Sequence, residues 1–315
     1  MRVATNAYTD SMLNQFSVLK NQLNTLQNQA STGLSVQAPS DNPSAMEDTL
    51  NDLSAQAAQT QYSANISTLQ TRATSVYNVM ESLQTLTSRA EEIATEAGSG
   101  TNSQSDLNNY ANEVQQLIQQ AVQLMNTQDP STGQYLFGGT DSAPAPYTVT
   151  TDASGNVTGV TYQGNFSVNQ VGIAPGVTIS VDVPGQNTGT SGTRGLITDA
   201  TSGADLFNHL IALQNDLTSG NTGAITGTDE ANLQNDNNNL LYQISNNGAI
   251  QTRLNNAATF ASSQSSTLNQ MVTNSSGADL VQTMVQLSQA QTAYQAALQS
   301  SAQIMYLSIL DFMPA

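Results

Sequence analysis

The sequence contains no cysteine. Disulfides, thiolate metal sites and thiol redox centres are thereby excluded. It contains one histidine, His209, which cannot by itself make a His-rich metal centre. Charge is scarce. Asp, Glu, Lys and Arg make up 9% of the 315 residues, against about 25% in ordinary globular chains. The charge that is present has one dominant sign: 23 acidic residues face 6 basic ones, giving a net charge of −17, and Lys20 is the only lysine. Nucleic acid and anionic membrane surfaces both call for clusters of Lys and Arg, so neither is an expected partner. No apolar run approaches the roughly 18 residues of a transmembrane helix. The first residues, Met1 to Tyr8, lack the apolar stretch of a cleaved signal. That predicts a cytosolic protein or one exported by a route that reads no such signal.

What the chain does have is heptad rhythm at both ends. Met12, Phe16, Leu19, Leu23, Leu26 and Ala30 follow one another at alternating steps of four and three. Leu280, Met284, Leu287, Tyr294, Leu298 and Met305 hold one frame near the other end. Such spacing predicts helices that pack on partner helices. Beyond Ile304 the apolar residues, Leu310 among them, spread round the helix. A helix apolar on all sides has to be buried on all sides. If the first and last segments pair, everything between them is an excursion. Because the two segments have little else to pack on, the pattern predicts contact with other subunits. The expected assembly interface is Met12, Phe16, Leu19, Leu23, Leu26, Leu280, Met284, Leu287, Tyr294, Leu298, Met305 and Leu310.

Between the ends, Gly33 marks the stop of the first helix. Asn42 and Pro43 form an N-cap and first-turn pair for the second. That helix carries Met46, Leu50, Leu53 and Ala57, then resumes one step out of phase at Tyr62, Ile66, Leu69, Ala73, Val76, Met80 and Leu83. The shift reads either as a stutter or as a short break. Gly98 and Gly100 close it. A third helix runs through Leu107, Ala111, Val114, Ile118, Ala121 and Met125, opened by a capping box of Ser103 and Asp106. Gln134–Thr140 is strand-like. From about 141 to 195 the period falls to two, at Tyr147–Thr150, Val157–Tyr162, Phe166–Val168 and Val177–Val183, with turn residues between. This predicts a small antiparallel β domain of four or five strands, followed by a flexible linker from Gly185 to Gly195. Helices return at Leu206, Leu210, Leu213 and Leu217, and again at Leu240, Ile244, Leu254, Ala258, Ala261, Leu268 and Val272. Asn246–Gly248 marks a kink or join, and Gly277 a break before the last helix. The expected fold class is mainly α with an inserted β domain. The terminal coiled coil takes 1–40 with 278–315, a helical rod domain takes 41–140 with 197–277, and the β domain takes 141–196.

The chain offers little for catalysis. His209 reads as structural, and the acidic pairs Glu91–Glu92 and Asp229–Glu230 read as solvated helix faces or partners of helix dipoles. Asp152–Asn156 resembles a calcium loop only in part, lacking the Glu at position 12, and reads as a hairpin turn. Gly138–Gly139 lacks the spacing of a phosphate loop. No enzyme activity, cofactor or metal is expected. Tyr147, Tyr162 and Phe166 could stack on sugar, which keeps open a secreted glycan-binding protein, although their spacing suits strand core.

Four stretches carry a family likeness. Ser31-Thr32-Gly33-Leu34-Ser35-Val36 leads into Pro39-Ser40-Asp41-Asn42-Pro43, and Gly133-Gln134-Tyr135-Leu136-Phe137-Gly138-Gly139-Thr140 follows the third helix. Gly248-Ala249-Ile250-Gln251-Thr252-Arg253-Leu254 and the pair Tyr294–Leu298 with Leu307–Phe312 complete the set. Together they resemble the bacterial flagellin superfamily, and within it the hook–filament junction proteins, over roughly residues 1–140 and 200–315. The resemblance implies a terminal helical coiled coil, a helical rod and an outward β domain. It implies a non-enzymatic adaptor on the extracellular flagellum, exported without a cleaved signal peptide. The implied partners are copies of the chain, the first hook-associated protein, flagellin, and an export chaperone at the C-terminal helix. Filament flagellin shares these ends and is the alternative.

Overall fold

In the computed structural model the structure describes residues 2–141 and 144–310, with side chains of 10–141 and 144–303. Helix α1 (Arg2–Thr32) stops where Gly33 turns left-handed at φ 71°, a conformation that a Cβ would strain. Helix α2 (Pro43–Gly98) starts as expected, with the Asn42 side chain accepting from the Ala45 N–H at 3.2 Å. It runs unbroken through the phase shift at Ala57–Tyr62, so no break occurs there. Helix α3 (Gln104–Met125) has both halves of the Ser103–Asp106 capping box, and all six of its expected apolar positions are buried. Ordinary helix chemistry, local in sequence, accounts for each of these starts and stops.

Among the described residues the chain divides into two compact units, Met1–Gln59 with Ser263–Ala315, and Thr60–Ser262. This departs from the three-part division expected above. The terminal unit reaches deeper into the chain than residues 40 and 278. Residues 141–196 join the inner unit instead of standing apart.

The inner unit explains why. Strands β1 (Tyr147–Thr151) and β2 (Val157–Tyr162) form an antiparallel hairpin in which Tyr147 faces Tyr162. Strands β3 (Val171–Ala174) and β4 (Val177–Ile179) form a second hairpin. Strands β5 (Gln186–Asn187), β6 (Thr198–Asp199) and β7 (Ala204–Asp205) make a third sheet, with β5 and β6 parallel. The inserted β region thus consists of three small sheets, antiparallel except for the β5–β6 pair. Phe166–Val168 and Gln134–Thr140 are not strands, and β4 stops short of Val183. Tyr147, Val157, Val183, Leu196 and Ile197 are buried in one core with α3 and helix α4 (Leu206–Ser219). Gln115 of α3 fastens the first hairpin: its amide donates to Gly155 O at 2.8 Å, and its oxygen accepts from Val157 N–H at 3.0 Å. The supposed linker is fixed as well, because Pro184, Gly185, Gly195 and Leu196 are buried. Asn187 holds its loop through bonds to Ser191 O and Thr193 O.

After α4, the short helix α5 (Thr222–Ala224) passes through a π turn, Ile225–Asp229, into helix α6 (Glu230–Ser276). Gly98 lets that turn come close, since a Cβ there would overlap the Thr226 side chain. Helix α6 continues through Asn246–Gly248, so no join between separate helices occurs there. A second core lies between Ile66, Leu69 and Ala73 of α2, Ile173 and Ile179 of the β3–β4 hairpin, and Leu254 and Ala261 of α6. Beside it, Arg72 is bonded to Asp182 at 2.6 Å and to Asp129 at 3.1 Å, with both carboxylates buried. Helix α7 (Leu280–Leu310) follows the expected break at Gly277.

Candidate assembly interface

The terminal unit begins with a clasp between two turns. The Ser35 N–H donates to Ser276 O at 2.7 Å, the Ser35 hydroxyl donates to the same oxygen at 3.1 Å, and the Ala278 N–H donates to Gly33 O at 2.9 Å. Leu34 and Gly277 form an antiparallel bridge. Asp41 caps the first of these turns by accepting from the Gln37 and Ala38 N–H groups, which hold its carboxyl below the ordinary value. The clasp sets α1 and α7 side by side, and they pair along their lengths.

On α1 the paired face is the expected one. Leu26 is buried, and Met12, Phe16, Leu19 and Leu23 are half-buried. Phe16 meets Tyr294 edge to face, with ring centroids 6.1 Å apart. A cavity of about 220 Å³ opens beside them, lined by Met12, Phe16, Ala297 and Ser301.

On α7 the paired face is not the expected one. Thr283, Leu287, Ala290, Tyr294, Ala297 and Ser301 are buried or half-buried. Their steps alternate between four and three, so the heptad frame is real, but its second line of residues lies one position earlier than expected. Leu287 and Tyr294 belong to it. Leu280 shares their line but is exposed at the start of α7, while Met284 and Leu298 leave the frame and point outward with Val281 and Val285. Val281 is 77% exposed and Leu298 46%. Thr283, Ala290 and Ala297 fill that second line with small side chains, and the bulkier Met284 and Leu298 are left outside. The side chains of Met305 and Leu310 lie outside the described residues. Sequence reading missed Thr283, Ala290, Ala297 and Ser301 because it weighed apolar size. Their common spacing was the available signal.

Two further observations describe this surface. Leu13 and Val18 add exposed apolar side chains from α1. Helix α7 contains no Asp, Glu, Lys or Arg anywhere in its 31 residues. A helix that stays in water normally carries charge on its outer face, whereas apolar patches left open usually mark interaction sites.

The candidate chemical groups lie elsewhere and are tied up structurally. His209 Nδ1 sits 2.8 Å from Asp236 Oδ2. Glu91 accepts two bonds from the Asn237 amide at 3.1 and 3.2 Å, and Glu92 pairs with Arg89. Asp229, expected on a solvated face, is instead buried at the end of the π turn. Asp152 accepts from the Ser154 and Asn156 N–H groups, which makes the predicted hairpin turn. Among the described residues no group of three or more His, Asp or Glu is arranged to hold a metal ion. Tyr147 is buried in strand core, Tyr162 is half-buried with its hydroxyl donating to Phe137 O, and Phe166 is exposed and stacked on Tyr162.

Residues 3–142 match the family model of the bacterial flagellin N-terminal helical region. No curated protein sequence matches the chain. Among solved structures, this fold is similar to a putative flagellar hook-associated protein from Vibrio parahaemolyticus, at 21% identity and a TM-score of 0.62. That similarity covers 75% of this chain and all of the other. FlgL from Xanthomonas campestris is 19% identical with a TM-score of 0.54, over 70% of this chain and 99% of that one. Flagellar hook-associated protein 3 from Legionella pneumophila is 15% identical with a TM-score of 0.51, over 76% and 98%. The mainly helical architecture with small sheets inserted between α3 and α4 is the fold these proteins share. Among the described residues no helix is long and apolar enough to cross a membrane.

Proposed function

We propose that this flagellin-like chain is a structural adaptor of the bacterial flagellum, joining the hook-associated region to the flagellin filament. The observation that carries the reading is α7, a 31-residue helix without charge whose bulky apolar side chains face away from its own partner helix. Neighbouring subunits cover Leu280, Val281, Met284, Val285 and Leu298, while Met12, Phe16, Leu19, Leu23, Leu26, Leu287 and Tyr294 hold α1 to α7 within each copy. The likeness to hook-associated proteins supports the junction over the filament. The proposed neighbours are copies of the chain, the first hook-associated protein on one side and flagellin on the other. Before assembly, an export chaperone covers the same α7 face. The role involves no catalysis and no cofactor, and the protein works on the extracellular flagellum.

The test is a deletion strain complemented with the wild-type gene or with a variant carrying Leu280→Ser, Met284→Ser and Leu298→Ser. The expected outcome is hooks without filaments in the deletion and in the variant, with flagellin in the medium. The purified variant should retain wild-type helicity. Filaments built chiefly of this chain, as read by mass spectrometry of sheared filaments, would make it a filament flagellin. Stable filaments in the variant strain would overturn the proposed interface.

A further inference from the structure

The inner unit holds a cluster of titratable groups that the adaptor reading does not use. It lies where α4 meets the π turn and α6. His209 of α4 bonds Asp236 of α6 at 2.8 Å. The other oxygen of Asp236 accepts from the Asp205 N–H at 2.7 Å, where β7 passes into α4. One buried carboxylate therefore grips the start of α4 at two points, one turn apart. Asp229, at the end of the π turn, is 2% exposed, and its Oδ2 has no hydrogen-bond partner. Asp216 of α4 faces it.

The surroundings are almost wholly acidic. Asp205 and Asp229 both act on His209. Asp199 of β6 is buried opposite Ala204 in the third sheet. From α2, Glu91 meets Asn237 and feels Glu230 of α6. Among the described residues, the ion pairs of Arg72 and Arg89 go elsewhere, and His209 is the only cationic group paired with any member of the cluster.

We propose that the α4–α6 junction is a proton-operated latch, held tightest when His209 is charged and Asp229 carries a proton, and loosened as both lose their protons. The two groups act in the same direction. Burial disfavours the charged imidazole, but the bond to Asp236 and the acidic surroundings outweigh it, so His209 titrates above its ordinary 6.5. Its contribution is fully present below that value and is lost as pH rises through the raised one. Burial, and then Asp216, push the Asp229 carboxyl up from 3.8 to about 6. Its folded form prefers the proton, so the fold weakens as pH rises from 3.8 through about 6. Asp236 and Glu91, both raised mainly by burial, add to the same slope. A chain with a net charge of −17 thus takes up protons on folding at this junction.

The latch is tested on the full-length chain by thermal unfolding followed through helical circular dichroism between pH 5.5 and 8. Tm should fall by about 5 °C across that range. Asp229→Asn, which supplies a fixed neutral group, should raise Tm at pH 8 and reduce the slope around pH 6. His209→Gln should lower Tm at pH 6 and remove the slope above it. The wild type also carries its own reporter, because its single histidine gives one imidazole signal by NMR, expected to titrate above 6.5. An imidazole midpoint at or below 6.5, a wild-type Tm flat with pH, or an Asp229→Asn chain that melts below wild type at pH 8 would each overturn the latch.

Discussion

The two units are made from the same long helices but place their apolar side chains in opposite ways. In the inner unit, Ile118 of α3, Leu210, Leu213 and Leu217 of α4 and Leu240 of α6 are all sealed from solvent. In the terminal unit, Leu26, Val36 and Ala290 are buried, while Leu13, Val18, Leu50, Leu53, Met271 and the outward face of α7 are open. The terminal unit turns small and polar groups inward in their place, namely Thr49, Gln59, Thr283 and Ser301. On the proposed function, the terminal unit is completed by other chains.

The sharpest way to break this contrast is to remove the β segments. Replacing 144–196 with a Gly/Ser linker takes Tyr147, Val157, Val183 and Leu196 out of the shared core. At about 1.5–3 kcal/mol per side chain, the loss is on the order of 6–12 kcal/mol, comparable with the roughly 5–15 kcal/mol that holds a domain together. The cooperative helical transition of the inner unit should disappear from a thermal melt, and its survival would make the insert a separable module after all. Next in size is Arg72→Leu. It leaves Asp129 and Asp182 buried without their cation and should cost about 3–5 kcal/mol in a urea titration. The smallest effect belongs to the terminal unit. Leu298→Asp on the open side of α7 should change the stability of the isolated chain by no more than about 0.5 kcal/mol. A cost of several kcal/mol would place Leu298 in the seam and erase the distinction between the units.

How far the sequence could be read depended on how local the determinants were. Helix α3 was legible throughout, since its six apolar positions and its capping box all lie within 23 residues. The stops at Gly33 and Gly277 and the start at Asn42–Pro43 were legible for the same reason. The β segments were read poorly because strands of two to six residues owe their existence to distant partners, such as Gln115 beneath the first hairpin. Phe166–Val168 has strand composition, but no strand pairs with it. The polar interior of α6 was missed altogether. Asp236, Asn239, Gln243 and Asn247 are buried at steps of three and four, where a search for apolar stripes does not look. Asn239 and Gln243 use those positions to hold the carbonyls of Gly195, Leu196 and Arg194. In the candidate interface the line of Leu287 and Tyr294 was legible, but the line of Thr283, Ala290 and Ala297 was not, because its residues are small.

The clasp between Ser35 and Ser276 bears on the order in which the molecule forms. Its hydrogen bonds join residues 241 positions apart. Closing so long a loop in an unstructured chain carries an entropy cost that grows with the logarithm of its length, by about 0.6 kcal/mol for each doubling. Contacts of such wide sequence separation form slowly. When the inner unit folds, Gln70 of α2 and Asn255 of α6 become bonded at 2.8 Å, and most of the loop is already closed. The terminal helices are therefore the last to find each other. A chain still being made lacks α7, and α1 stays single until that helix is complete.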